Sequence, residues 1–557
     1  MNLKTNSIAF SILFFWPTCL WFFGLLEFFS HILFARPTSL ATGWSVWLAV
    51  GLGLWAGFKI VQSSSLNLKE QAYMSIKRLW EAPVLLKGLI VVAGAILILA
   101  LLEARLPPHL PWEGDAIAYH MTLPKQHLLH GTIQHLSWSA RDLWPMPVQW
   151  GFASFWFLSP TYHKIPQFIA TLWALGLLFS LSRSFDENHY LKWIPALAFV
   201  STHGVMFQLG TAMMDLTNLY FLMAFLYANH KKKRVWAALH LAVFATSKAF
   251  MPLQTVAGAL ICYGLYLLKT RWDGLQAIKK HALTIIATAV FAMILLSRSV
   301  WIGIERAGTP LFPFATCLLS VEGCQGKAGE IIRKSSELQL EIRDQYGYGR
   351  DLGAFLSHFW LVSVPTRRES FNNEYDYPLG LGWLLCVILL FASIPLWMKQ
   401  RSVLFFVVLA IGFWITWWLG SQQSRWLYPV LALGWIGTME TQKKINPHVL
   451  TGVLLISALF SLWFQWRALS PELWKKPAII QNEQITKVQH DPKTGLLLSK
   501  HGESSLYVNE PIETLAPGDL SAILVEGAIG NVNQASHKDF AFMSAAVSTI
   551  SRIGSHE

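Results

Sequence analysis

Apolar runs long enough to cross a lipid bilayer recur along this chain, and no other feature restricts its fold as much. At about 1.5 Å of rise per residue, about 17 to 25 apolar residues span a hydrocarbon core of about 30 Å. The runs are Ile8 to Leu33, Leu40 to Gln62, Pro83 to Ala104, Ile165 to Leu181, Leu191 to Gln208, Ala212 to Ala228, Val235 to Phe250, Leu253 to Leu268, Ala282 to Gly303, Leu379 to Met398, Val403 to Leu419, Trp426 to Met439 and Val449 to Trp466. With 54% hydrophobic and 14% charged residues over 557 positions, the chain has the composition of a polytopic membrane protein. The expected fold class is mainly α: a transmembrane bundle of about thirteen helices with outer-face loops and a small C-terminal soluble α/β appendage.

Forty-four basic against 32 acidic side chains leave a net charge of +12. In a soluble protein that excess would raise the question of nucleic acid; here topology explains it. Lys and Arg in short loops resist translocation. One set of alternate loops carries Lys69, Lys77 and Arg78; Arg183 and Lys192; Lys231, Lys232, Lys233 and Arg234; Lys269, Arg271, Lys279 and Lys280; Lys399 and Arg401; Lys443 and Lys444. The opposite turns hold little more than Arg36, Lys248 and Arg425. The first set is therefore expected in the cytoplasm with the N-terminus. The first apolar run is too long for a cleaved signal peptide and no small-residue cleavage site follows it.

The same alternation divides the chain into two leading helices (1–82), a membrane core (83–466) with outer loops 105–164 and 304–378, and an extramembrane segment (467–557) expected on the far side of the membrane. Within the first loop, Pro147 to Leu158 is apolar but too short to span, which suggests a helix in the interface plane. The last segment mixes short apolar runs such as Gly495 to Leu498, Ser505 to Val508 and Ala522 to Val525 with Pro and Gly turns. No repeat, Walker-type loop or CxxC spacing is visible. Cys317 and Cys324 share the second loop and would bridge only in an oxidising compartment, whereas Cys19, Cys262 and Cys386 sit in apolar runs.

The polar loop EGDAIAYHMTLPKQHLLHG, Glu113 to Gly131, follows the run Pro83 to Ala104 directly. A carboxylate at the mouth of a membrane helix is costly unless it has a use. Sidedness puts Asp115, Asp215 near one end of a helix, Lys248 near the end of the next, and Gln422, Gln423 and Arg425 at the start of another at the same boundary layer. Each residue carries two readings. Asp115 is either a site acid or a solvated loop acid capping a helix, and Glu113 and Asp142 read as solvated. Asp215 either serves the site directly or neutralises Lys248. Arg425 either binds an anion with Gln422 and Gln423 or snorkels to the interface. His109, His127, His130 and His135 match no tetrahedral zinc spacing. Most of the 27 tryptophans suit interfacial belts, with Trp112, Trp138 and Trp144 in the outer loops as candidates for ligand contact.

The order of these pieces resembles the GT-C glycosyltransferases, in particular the bacterial members related to dolichyl-phosphate-mannose protein mannosyltransferases and lipid A aminoarabinose transferases. The matching pieces are DAIAYH with PK after it (Asp115 to Lys125), MMDLTNLYF (Met213 to Phe221), ATSKAFMPL (Ala245 to Leu253), GTPLFPF (Gly308 to Phe314) and QQSRWLYP (Gln422 to Pro429), over roughly Pro83 to Trp466. The resemblance implies transfer of one sugar from a polyprenyl-phosphate carrier to a lipid, glycan or protein acceptor, with inversion. Asp115 would be the general base, with His120 assisting it, Tyr119 and Lys125 nearby, and Lys248, Arg425, Gln422 and Gln423 on the donor phosphate. A single carboxylate base needs no metal, whereas a second acid such as Asp215 is a candidate ligand for a divalent ion. The rival readings are a glycan ligase or polymerase using a polyprenyl-pyrophosphate donor, a membrane transporter, and a non-catalytic assembly protein. Against a transporter, the polar residues gather at one face instead of the midplane.

Overall fold

A computed structural model describes residues 82–106, 115–116, 120–121, 148–149, 164–185, 190–248, 255–256, 258, 260, 264, 274–307, 346–364, 375–397, 401–473, 488–491 and 496–499. The two leading helices, Tyr119, Lys125, Glu113, Asp142, the three candidate tryptophans, the four candidate zinc histidines, Cys317, Cys324 and the GTPLFPF piece lie outside the described residues.

The described chain is mainly helical. In order it forms α1 (Val84–Ala104), α2 (Ile165–Phe185), α3 (Ile194–Val200), α4 (His203–Gln208), α5 (Asp215–His230), α6 (Arg234–Thr246), α7 (Gly274–Ala307), α8 (Leu352–Leu361), α9 (Leu381–Ala392), α10 (Ile394–Trp397), α11 (Arg401–Leu419), α12 (Tyr428–Gly437), α13 (Met439–Gln442) and α14 (Pro447–Leu473). A pair of short strands follows, β1 (Val488–Asp491) antiparallel to β2 (Leu496–Ser499), with Val488 opposite Ser499. The second strand overlaps the apolar run expected at Gly495 to Leu498.

Among the described residues, three helices are long and apolar enough to cross a membrane: Val84–Ala104, Ile165–Arg183 and Pro447–Ser470. Helices α1, α14 and α7 each carry an exposed apolar stripe. On α1, Val84, Val91 and Ile98 are exposed; on α14, Val449, Val453, Ile456, Phe460 and Trp463; on α7, Leu283, Ile286, Val290 and Met293. Spacings of three, four and seven residues place each set on one stripe. Such apolar stripes would be unfavourable against water and are natural against lipid.

Several expected runs differ in detail. Leu191 to Gln208 is not one helix: a 3-10 turn (Leu191–Trp193) leads into α3, and Ser201 and Thr202 separate α3 from α4. The Thr202 hydroxyl donates to the Ala198 carbonyl and the Thr202 amide to that of Phe199, closing the first helix locally. The run Leu379 to Met398 is likewise interrupted at Ser393, and the helix expected to end at Trp466 continues to Leu473.

Two helices occupy the centre. All of α12 is buried, as is α5 from Asp215 to Ala224; after Tyr428 α12 is apolar throughout, whereas α5 also buries Thr217 and Asn218. Helix α5 packs on α2, α6 and α12, while α12 packs on α3, α9 and α11. The α9 contact is close: a Cβ added at Gly434 would lie 2.7 Å from Cys386 Sγ, so only glycine lets the two helices approach this far. Both central helices begin at one place, where the polar residues of the chain converge.

Candidate functional site

Asp215 is the first residue of α5, where the partial positive charge of the helix N-terminus favours a carboxylate. The preceding Met214 is left-handed, with φ 67°, a conformation that costs a non-glycine residue about 1 to 2 kcal/mol. Lys248 comes from the opposite kind of terminus. Helix α6 was expected to run to Phe250 but stops at Thr246, where the Thr246 and Ser247 hydroxyls donate to the carbonyls of Ala242 and Phe244. Lys248 therefore follows the helix, near the carbonyl end that favours a cation. Its Nζ donates to Asp215 Oδ1 at 2.6 Å, with both side chains buried.

Breaking a buried pair of this kind leaves the surviving charge without compensation. Lys248→Met and Asp215→Asn should each destabilise the protein by about 3 to 5 kcal/mol, and the double variant should lose clearly less than the sum. Thermal unfolding of the four detergent-purified forms measures this coupling. Additive losses would mean that the pair contributes nothing as a pair.

Arg425 reaches the same point through a 3-10 turn, Ser424–Leu427, that leads into α12. Its Nη2 donates to Asp115 Oδ2 at 2.7 Å, joining positions 310 residues apart, and its Nε donates to Gln423 Oε1 at 2.8 Å. Asp376 Oδ2 lies 3.3 Å and Asp215 Oδ2 3.9 Å from that same Nε. Nε carries one hydrogen, which Gln423 takes. The two carboxylate oxygens therefore feel the guanidinium charge without receiving a hydrogen bond from it, and both are buried with no hydrogen-bond partner among the described residues.

The guanidinium has five N–H donors. Two of them are engaged in the bonds to Asp115 and Gln423, which leaves Nη1 with no hydrogen bond among the described residues. The site thus joins Asp115, Asp215 and Asp376 to Arg425 and Lys248, three acids to two bases. Asp115 is the most exposed of the five, its side chain 22% accessible against 7% for Arg425.

Asp376 was absent from the residues expected at the site. It lies in the segment read as the second outer loop, between Tyr375 and Tyr377. Backbone contacts with the Arg425 segment deliver it: the Ser424 amide donates to the Tyr375 carbonyl at 2.6 Å, and the Tyr377 amide to the Ser424 hydroxyl at 3.1 Å. Asp376 itself has φ 90°, so two of the three non-glycine residues with positive φ among those described sit at or beside this cluster. Such strain persists where the surroundings over-determine it. Burial raises the Asp376 carboxyl to about 7, Arg425 and Lys248 opposing that rise and Asp115 and Asp215 adding to it.

The remaining expected residues have structural partners. Gln423 orients Arg425 and accepts, at its backbone carbonyl, the Trp417 indole N–H. Gln422 donates to the carbonyls of Gly349 and Trp418, and so holds the segment 346–350 against the site. Gly347, φ 89°, is required there, since a Cβ on it would fall 1.7 Å from Gln422 Oε1. His120 is buried, with Nδ1 3.2 Å from Gln149 Nε2; Gln149 had no distinguishing signal in the sequence. Tyr428, the first residue of α12, donates to the Gly204 carbonyl at 2.7 Å, fixing α12 to α4. Among the described residues no group of three or more His, Cys, Asp or Glu is arranged to hold a metal ion.

Chemically, the cluster offers a partly accessible carboxylate bonded to a buried cation with open donors. It can hold an anion and receive a proton within one contact. Set against known proteins, the chain matches no protein family, no curated protein and no solved structure.

Proposed function

We propose that this chain is a GT-C-type glycosyltransferase, a bundle of about thirteen membrane helices that moves one sugar from a polyprenyl-phosphate carrier to an acceptor hydroxyl on the periplasmic face, with inversion. The N-terminus is cytoplasmic and the segment after α14 periplasmic. One observation carries the reading: the 2.7 Å contact between Asp115 and Arg425 unites a candidate base with a candidate phosphate site whose Nη1 donors are open. Hydropathy and the apolar stripes of α1, α7 and α14 support the membrane setting.

In the proposed reaction the acceptor oxygen attacks the anomeric carbon as the bond from that carbon to the phosphate oxygen breaks. The bonding electrons leave with the phosphate. Asp115 takes the hydroxyl proton, a role worth about 10² to 10⁴ in rate. Arg425 meets the charge growing on the phosphate from a buried position, where a fixed donor is most effective, and its planar fork suits two phosphate oxygens. Lys248, bonded to Asp215, adds a second positive charge behind it. The isoprenoid tail stays in lipid, which is why such a catalyst would be embedded in the bilayer and need no nucleotide loop.

The test supplies purified protein with a panel of radiolabelled polyprenyl-phosphate sugars and a membrane extract as acceptor. Labelled covalent product with release of polyprenyl phosphate is expected. Product only from pyrophosphate-linked donors would replace this reading with a ligase or polymerase, and sugar movement across vesicles without covalent product would replace it with a carrier.

A further inference from the structure

We infer that Asp376 is the proton-accepting counter-charge of this site: an anion that docks on Arg425 arrives together with one proton, which settles on the Asp376 carboxylate. The inference rests on the proposed assignment of Arg425 to the carrier phosphate and adds to it a coupling between donor binding and protonation.

The charge count carries the argument. Among the described residues three carboxylates face two cations in a largely buried cluster, and a phosphodiester would bring a further negative charge. Unbalanced charge in a desolvated site is strongly unfavourable, and the usual relief is protonation of the least supported group. Asp115 and Asp215 each receive a direct hydrogen bond, from Arg425 and Lys248 respectively. Among the described residues Asp376 receives none at Oδ2, since the single Nε hydrogen of Arg425 goes to Gln423. Its neighbours are unable to take its place. Tyr375 and Tyr377 flank it in sequence, Tyr428 faces the cluster from α12, and Asp115 and Asp215 add repulsion. Phenols are neutral near pH 7 and accept no second proton there. The carboxyl already stands near neutrality at about 7, so one proton from solvent is available at little cost. The exchange balances: the anion adds one negative charge, the proton removes one from Asp376, and Asp115 remains a carboxylate, able to act as base.

The sign of the pH dependence follows. Protonated Asp376 favours the bound anion, so affinity is highest below about pH 7 and weakens by up to about tenfold per pH unit above it.

The test uses farnesyl methyl phosphate, a phosphodiester whose single charge does not titrate near neutrality, and the full chain in lipid nanodiscs. Calorimetry at pH 8 in buffers of different ionisation enthalpy counts the protons taken up on binding. Wild type should take up close to one and Asp376→Asn close to none, while the affinity of wild type alone should fall between pH 7 and pH 9. Binding without proton uptake, with an affinity flat across that range, would overturn the coupling while leaving Arg425 as the phosphate site. Uptake unchanged in Asp376→Asn would move the proton to another group and overturn the inference equally. Absence of binding at any pH would remove the phosphate assignment and the inference with it. If Asp376→Asn fails to fold, the wild-type measurements still decide whether binding takes up a proton, and Asp376→Glu assigns it: uptake that persists with a displaced pH dependence is expected, and a pH dependence identical to wild type would overturn the inference.

Discussion

Replacing Arg425 with methionine is expected to abolish sugar transfer and to destabilise the protein by about 3 to 5 kcal/mol, the usual cost of removing one partner from a buried charge cluster. The guanidinium is the common partner of Asp115, Asp376 and Asp215, and its loss would remove the positive charge that all three share. Its position sharpens the dependence. Arg425 stands at the N-terminal approach to α12, where the helix dipole disfavours a cation, so the carboxylates hold it there. Arg425→Lys separates charge from shape. An ammonium restores one positive charge but has no means of bonding Gln423 and Asp115 from two ends of a rigid fork while presenting further donors. That variant should fold with a smaller loss of stability, yet transfer sugar about 10² to 10³ times more slowly. Fluorescence-detected thermal unfolding and the radiolabel assay, run on the same preparations, distinguish the two effects. Transfer by Arg425→Lys at the wild-type rate would show that only charge matters at this position.

The second large effect belongs to Asp115. Asparagine keeps the size of the side chain and an oxygen that can accept from Arg425, so the contact across the site is largely retained. What it lacks is the capacity to take a proton at neutral pH. The expected loss in transfer is about 10² to 10⁴. Donor binding should change little, because the phosphate is assigned to the other side of the guanidinium. A fall in rate accompanied by an equal fall in donor affinity would instead make Asp115 a structural anchor for Arg425.

The sequence disclosed four of the five charged groups. Asp115, Asp215, Lys248 and Arg425 are ionisable residues next to long apolar runs, where a charge is rare enough to stand out. Asp215 and Lys248 form a direct ion pair at 2.6 Å, which is compatible with a direct role of either at the site. Asp376 stayed hidden because an acid between two tyrosines in a long polar segment looks like any solvated loop residue. What brings it in is its neighbours' hydrogen bonding to Ser424, a contact between distant parts of the chain that no local pattern encodes. Gln422 and Gln423 stand out in the sequence as strong hydrogen-bonding groups beside Arg425 that would suit an anion, and the bonds they donate and accept here go to protein groups. Helix ends were the least legible part of the fold. Hydropathy averaged over a span cannot register the break at Ser201 and Thr202, nor the end of α6 at Thr246, because each depends on hydroxyl groups turning back to nearby carbonyls.

The proposed base is most directly tested by single-turnover transfer from a preloaded polyprenyl-phosphate sugar, comparing wild type with Asp115→Asn at equal donor occupancy. The account predicts that the variant binds the donor as wild type does and forms labelled product at least about a hundredfold more slowly. Equal rates of product formation by the two proteins would contradict it.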